Sequence, residues 1–158
     1  MNHYIDLQLA CDKPLPVSEA QLMQWASAAL DQYGKEAEIT LRIVEPGEIT
    51  ELNHAYREKN KATNVLAFPS ALPDNIELDF PLLGDVIVCP DVLEQEYLEQ
   101  GKTAEAHWAH IVIHGVLHLL GYDHIEEKDA KVMEALETSL LAGFGIADPY
   151  LLEDEKID

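Results

Sequence analysis

The chain has 158 residues, the length of one domain spanning residues 1–158, in which 147–158 read as an acidic tail. Ten basic against thirty acidic residues leave a formal charge of −20, which argues against a broad basic face for duplex nucleic acid. The apolar share of 47% is that of a globular protein, and no run approaches the roughly 18 apolar residues that a membrane span needs.

The opening stretch MNHYIDLQLA has no basic n-region and no small-residue cleavage site, so the reading is a cytoplasmic protein with no membrane association. Cys11 and Cys89 make no ligand spacing and suit buried thiols in a reducing compartment. Tyr4 to Ala10 alternates as a half-buried strand. Ser18 and Gln21 resemble a capping box, and apolar residues from Leu22 to Tyr33 then recur at helical spacing until Gly34. Ile39, Leu41 and Ile43 alternate again, and the intervening helix makes this strand parallel to the first. A short helix follows over Ile49 to Arg57, then a strand from Val65 to Phe68 that Pro69 ends.

Ser70 to Leu82 reads as a proline-containing loop or hairpin excursion, and Gly84 to Cys89 as a strand. Pro90 opens a helix to about Gln100; a very apolar helix from Ala104 to Leu120 stops at Gly121, and a last amphipathic one, Glu126 to Ala142, stops at Gly143. The expected fold class is α+β: a small mixed sheet of about four strands packed against about five helices.

His107, His110, His114, His118 and His124 crowd one short window of the chain. His114 and His118 are four apart, so on a helix they project from one face about one turn apart and two imidazoles can share a metal. Gly121 lets the chain leave the helix, and His124 can fold back as a third nitrogen ligand. Three ligands leave one tetrahedral position open, the mark of a catalytic zinc. The spacing matches the H-E-x-x-H-x-x-G-x-x-H site of metzincin peptidases, with Gly115 where the peptidase carries its general-base Glu. The reading is thus a zincin-like three-His metal site without protease chemistry. A 110/114 pair has the same helical spacing, yet only the 114/118 pair brings His124 to that offset; His107 and His110 are assigned supporting or packing roles. Asp123 is placed to orient a ligand imidazole or, equally, to shape a helix-end turn.

Arg57, Lys59 and Lys61 form a basic island around Asn60 in an otherwise acidic chain. Arg offers a planar fork for phosphate oxygens, so the island can hold a phosphodiester beside the metal. The run from Asn53 to Pro69, with Leu83-Gly84-Asp85 and HGVLHLLGYDH, resembles the YbeY family of bacterial endoribonucleases, or rRNA maturation factors. The chain departs from the family's usual pattern at Asn60, Ala62 and Ala67, where Asp, Pro and Ser are more common.

The resemblance implies one zinc ion held by His114, His118 and His124, cleavage of single-stranded RNA, a role in 16S rRNA 3′-end maturation and 70S ribosome quality control, and as partners the 16S rRNA precursor, the small ribosomal subunit, a small-subunit ribosomal protein and the GTPase Era. Ligand type fits zinc, and Ni²⁺ or Cu²⁺ bind imidazoles as tightly. Zinc lowers the pKa of a bound water from 15.7 toward roughly 7, so attack by that water tolerates Gly115; the substrate's own 2′-OH is the other nucleophile. Arg57 is assigned to the transition-state charge, and Lys59, Lys61 and Asn64 to the substrate. Two rivals remain: a non-catalytic ribosome-assembly module with structural zinc, and a metal-dependent amide hydrolase using Asp85 or Asp123 as base.

Overall fold

Strands form where apolar residues alternate. The computed structural model describes residues 2–57, 63–70, 82–123 and 125–150, and of Arg57 the backbone alone. Strand β1 (Tyr4–Ala10) leads through helix α1 (Glu19–Leu30) to β2 (Glu38–Val44). The Ser18 hydroxyl accepts from the Gln21 N–H, and the Gln21 side chain accepts from the Ser18 N–H, so the predicted capping box opens α1. The α-helix stops at Leu30, earlier than its periodicity suggests, and a 3₁₀ turn, Asp31–Tyr33, completes the run to Gly34.

Helix α2 (Pro46–Arg57) starts three residues before the apolar periodicity does, because Pro46 is already shaped for a first turn. Then come β3 (Val65–Pro69), β4 (Leu82–Val88), α3 (Pro90–Gln100), α4 (Ala104–Leu119) and α5 (Glu127–Ala142). The four strands order as β1-β2-β4-β3. β1 and β2 are parallel, as are β2 and β4, while β3 runs antiparallel to β4 at the sheet's edge. Most of the expected excursion between Ser70 and Leu82 lies outside the described residues.

Strand alternation divides the apolar residues between two clusters. Ile39, Leu41, Ile43, Val86 and Val88 join the main core with α1 and α4, while Leu66, Ile87 and Cys89 join Ile49 of α2 in a smaller one. Cys89 is buried and Cys11 half-buried; both thiols are free, and burial pushes both up from their ordinary range. Helix α4 is the hub, in contact with α1, α3, α5, β3 and β4. Gly115 permits this closeness: a Cβ there would stand 2.8 Å from both Val65 Cγ2 and Val86 Cγ1. The position that a peptidase fills with glutamate is thus spent on bringing α4 against the sheet. No described helix is long and apolar enough to cross a membrane.

Candidate metal centre

Thr103 starts α4 by accepting from the Ala106 N–H at 3.1 Å. The helix ends where Gly121 takes a left-handed φ of 106°, and the Tyr122 N–H returns to Leu117 O at 3.1 Å. Within that frame His114 and His118 sit one turn apart with rings nearly parallel, 7° between planes and 6.4 Å between centroids. Both line a cleft of about 370 Å³ between α4 and the edge strand β3. Gly115, Asn64, Asp123 and Ile125 also line it.

Each ring is held by its Nδ1. His118 Nδ1 lies 3.0 Å from Tyr122 O, a carbonyl that can only accept, so Nδ1 carries the proton. His114 Nδ1 donates to Glu137 Oε1 at 2.8 Å. Oε2 of the same carboxylate accepts from His110 Nε2 at 2.8 Å and from the Tyr150 hydroxyl at 2.6 Å. Burial works against ionisation of Glu137, yet the hydrogen bonds from His110 and His114 outweigh it and hold the carboxyl at about 2. Burial, and then the Glu137 carboxylate, push the Tyr150 phenol well above its usual range.

With Nδ1 of both rings engaged as donor, Nε2 is the atom that each histidine would present to a cation. A neutral imidazole whose second nitrogen is tied to a carboxylate or carbonyl is the usual form of a histidine metal ligand. The donor chemistry fits zinc or another borderline divalent ion.

Of the residues singled out in the sequence, His114, His118, Asn64 and Asp123 meet in this cleft. Asn64 is held from behind: its Nδ2 donates to Glu96 at 3.3 Å, and Glu96 also pairs at 3.0 Å with the buried His107. Asp123 uses Oδ1 to accept from the Ile125 N–H at 3.3 Å; the acceptors described at Nδ1 of His114 and His118 are Glu137 and Tyr122 O. Arg57 is the last residue of α2. Lys59, Lys61 and His124 lie outside the described residues. Asp85, a rival base, sits inside β4 opposite Thr40 and Phe68.

Glu137 is the residue that sequence reasoning missed. His110, His114 and Glu137 bring one ligand atom each within 4.8 Å of one another, a group able to hold a cation that differs from the set drawn from spacing. The available signal was its place in the buried stripe of α5, between Met133 and Leu141.

Fold and cleft together define an α+β protein whose central helix presents a histidine pair of metal-site chemistry beneath an edge strand. The chain matches the family described as Endoribonuclease YbeY over residues 9–145. It belongs to the YbeY family. A Legionella pneumophila (strain Corby) protein named Endoribonuclease YbeY is 52% identical over 158 residues, covering 100% of both chains. One of the same name from Pseudomonas putida is 54% identical over 154 residues, covering 98% of this chain and 96% of its own. The solution structure of a Thermotoga maritima protein shares the fold with a TM-score of 0.57 at 23% identity, over 92% of this chain and 97% of that one.

Proposed function

We propose that this protein is a metal-dependent endoribonuclease that cuts single-stranded RNA, with the 3′ end of the 16S rRNA precursor on the small ribosomal subunit as its substrate. The observation that carries this reading is the parallel pair His114 and His118, each with Nδ1 tied and both lining one cleft, in a chain of the YbeY family. In the proposed ligand set, His124, three residues after Gly121 in the sequence, completes the triad. A zinc ion bound there supplies Lewis acidity.

The chain's own residues do the rest. Arg57, at the end of α2, holds the non-bridging phosphate oxygens as charge builds on them. Lys59 and Lys61 follow the strand's phosphates, and Asn64, steadied by Glu96, contacts the substrate from the β3 side. Few cations in an acidic shell favour a thin flexible strand over a duplex, and weak binding to free RNA over tight binding. Cytoplasmic residence, the GTPase Era and a small-subunit ribosomal protein as partners belong to the same proposal.

The test is cleavage of a labelled single-stranded RNA spanning a 16S 3′ precursor end, by wild type, His114→Ala and Arg57→Ala purified identically. Cutting by wild type alone supports the reading, with Arg57→Ala slower by about 10²- to 10³-fold. Equal cutting by all three marks a contaminant. A second reading, an assembly module with a structural ion, draws on the buried group His110, His114 and Glu137; it gains if zinc binds and nothing is cut.

A further inference from the structure

We propose that Glu137 is a positioning residue of the metal centre: it fixes the plane and tautomer of His114, and through Tyr150 it fastens the segment 148–150 to that centre. The proposal rests on the reading of His114 as a metal ligand.

Glu137 stands in the apolar stripe of α5, its side chain 1% exposed, with Met133 one turn before and Leu141 one turn after, both buried. A carboxylate survives there only if its oxygens are satisfied. Three donors from two separate parts of the chain do this: His110 and His114 from α4, and Tyr150 from beyond α5. The Tyr150 N–H in turn donates to Asp148 Oδ1 at 2.8 Å, which folds the segment back on itself. The carboxylate accepts from Nδ1 of His114, which leaves Nε2 as that ring's coordinating nitrogen.

The distances are those of hydrogen bonds. Two nitrogen or oxygen ligands about 2.0–2.1 Å from one tetrahedral zinc stand roughly 3.3–3.4 Å apart, whereas Glu137 Oε1 and His114 Nδ1 are separated by 2.8 Å. At that separation Glu137 orients His114 through a hydrogen bond. His110, on the same helix one turn earlier, spends Nε2 on the same carboxylate and so helps hold it for His114.

The experiment measures zinc affinity by competition with a chromophoric chelator for wild type, Glu137→Gln, Tyr150→Phe and His114→Ala. It also records the imidazole Nδ1–H resonance of His114 by ¹H–¹⁵N NMR in the zinc-loaded proteins. Glu137→Gln is expected to keep one zinc per chain, bound about 10- to 100-fold more weakly, with the His114 Nδ1–H resonance moved upfield. Tyr150→Phe should show the same changes, a few-fold smaller, and a native circular dichroism spectrum.

Affinities within twofold of wild type with an unmoved resonance would overturn the proposal. Loss of zinc as complete as in His114→Ala would make Glu137 a direct ligand and overturn it equally. If Glu137→Gln does not fold, Tyr150→Phe decides alone by the same two readouts. Failure of the underlying reading looks different: wild type and His114→Ala would then bind zinc alike.

Discussion

The imidazole of His118 donates from Nδ1 to the backbone carbonyl of Tyr122, 3.0 Å away and just past the end of its own helix. That carbonyl is where it is because Gly121 turns the chain with a φ of 106°. Nothing lies within 4 Å of a Cβ built on Gly121, so an added methyl meets only backbone strain. Gly121→Ala should cost about 1–2 kcal/mol, visible as a melting temperature several degrees lower. Zinc affinity should fall with it as the carbonyl shifts; unchanged melting and unchanged affinity would show that the turn does not set His118.

Gly115→Ala meets the opposite situation, open backbone geometry and no room. Its Cβ would press two valine methyls at 2.8 Å, on β3 and β4. Overpacking of this kind costs about 1–3 kcal/mol, readable by urea denaturation. Combining it with Val65→Ala should recover part of the loss, and a purely additive double variant would speak against contact at that point.

Arg42 on β2 clamps the first turn of α2 through Nε to Glu48 Oε2 at 2.6 Å and Nη2 to Oε1 at 3.0 Å. Both side chains are 34% exposed, so Glu48→Gln should cost less than about 1 kcal/mol, and less still in high salt. The Arg42 hydrogen bond holds the Glu48 carboxyl below its ordinary value of 4.5. A depressed carboxyl stabilises the fold fully above its unfolded value and loses that contribution as the pH falls. The stability gap between wild type and Glu48→Gln should thus be constant above about pH 5 and close below it.

Asn64 gives a prediction on substrate handling. Glu96→Ala removes the acceptor that holds the Asn64 amide, and one long, part-buried hydrogen bond is worth about 1 kcal/mol. In steady-state RNA cleavage, KM should rise roughly fivefold with kcat little changed. An equal fall in kcat with KM constant would place Asn64 in the transition state instead.

Elements with a clear period were legible from residues alone: the alternating strands, the parallel β1–β2 pair, and α4, whose apolar run and Gly121 stop need no context. Strand order was not, because nothing local in Leu82–Val88 says that it inserts between β2 and β3. The start of α2 was misjudged by following hydrophobicity at Ile49 when Pro46 already sets the first turn. At the site, histidine spacing placed His114 and His118 on one face, since four residues make one turn. Glu137 escaped because it is one acid among thirty, and burial, which distinguishes it, comes from the packing of α5 on α4. Choosing between the two roles read for Asp123 also needed coordinates, since a side chain's pairing with a nearby backbone N–H leaves no trace in spacing.

The carboxylate that steadies His114 lies 23 residues downstream of it, and the phenol that shares that carboxylate lies further on at residue 150. During synthesis both histidines of the cleft emerge well before either of these supports. A nascent or truncated chain that stops short of α5 carries His114 and His118 without the acceptor that orients His114. Orientation of His114 by that carboxylate therefore waits on the synthesis of α5.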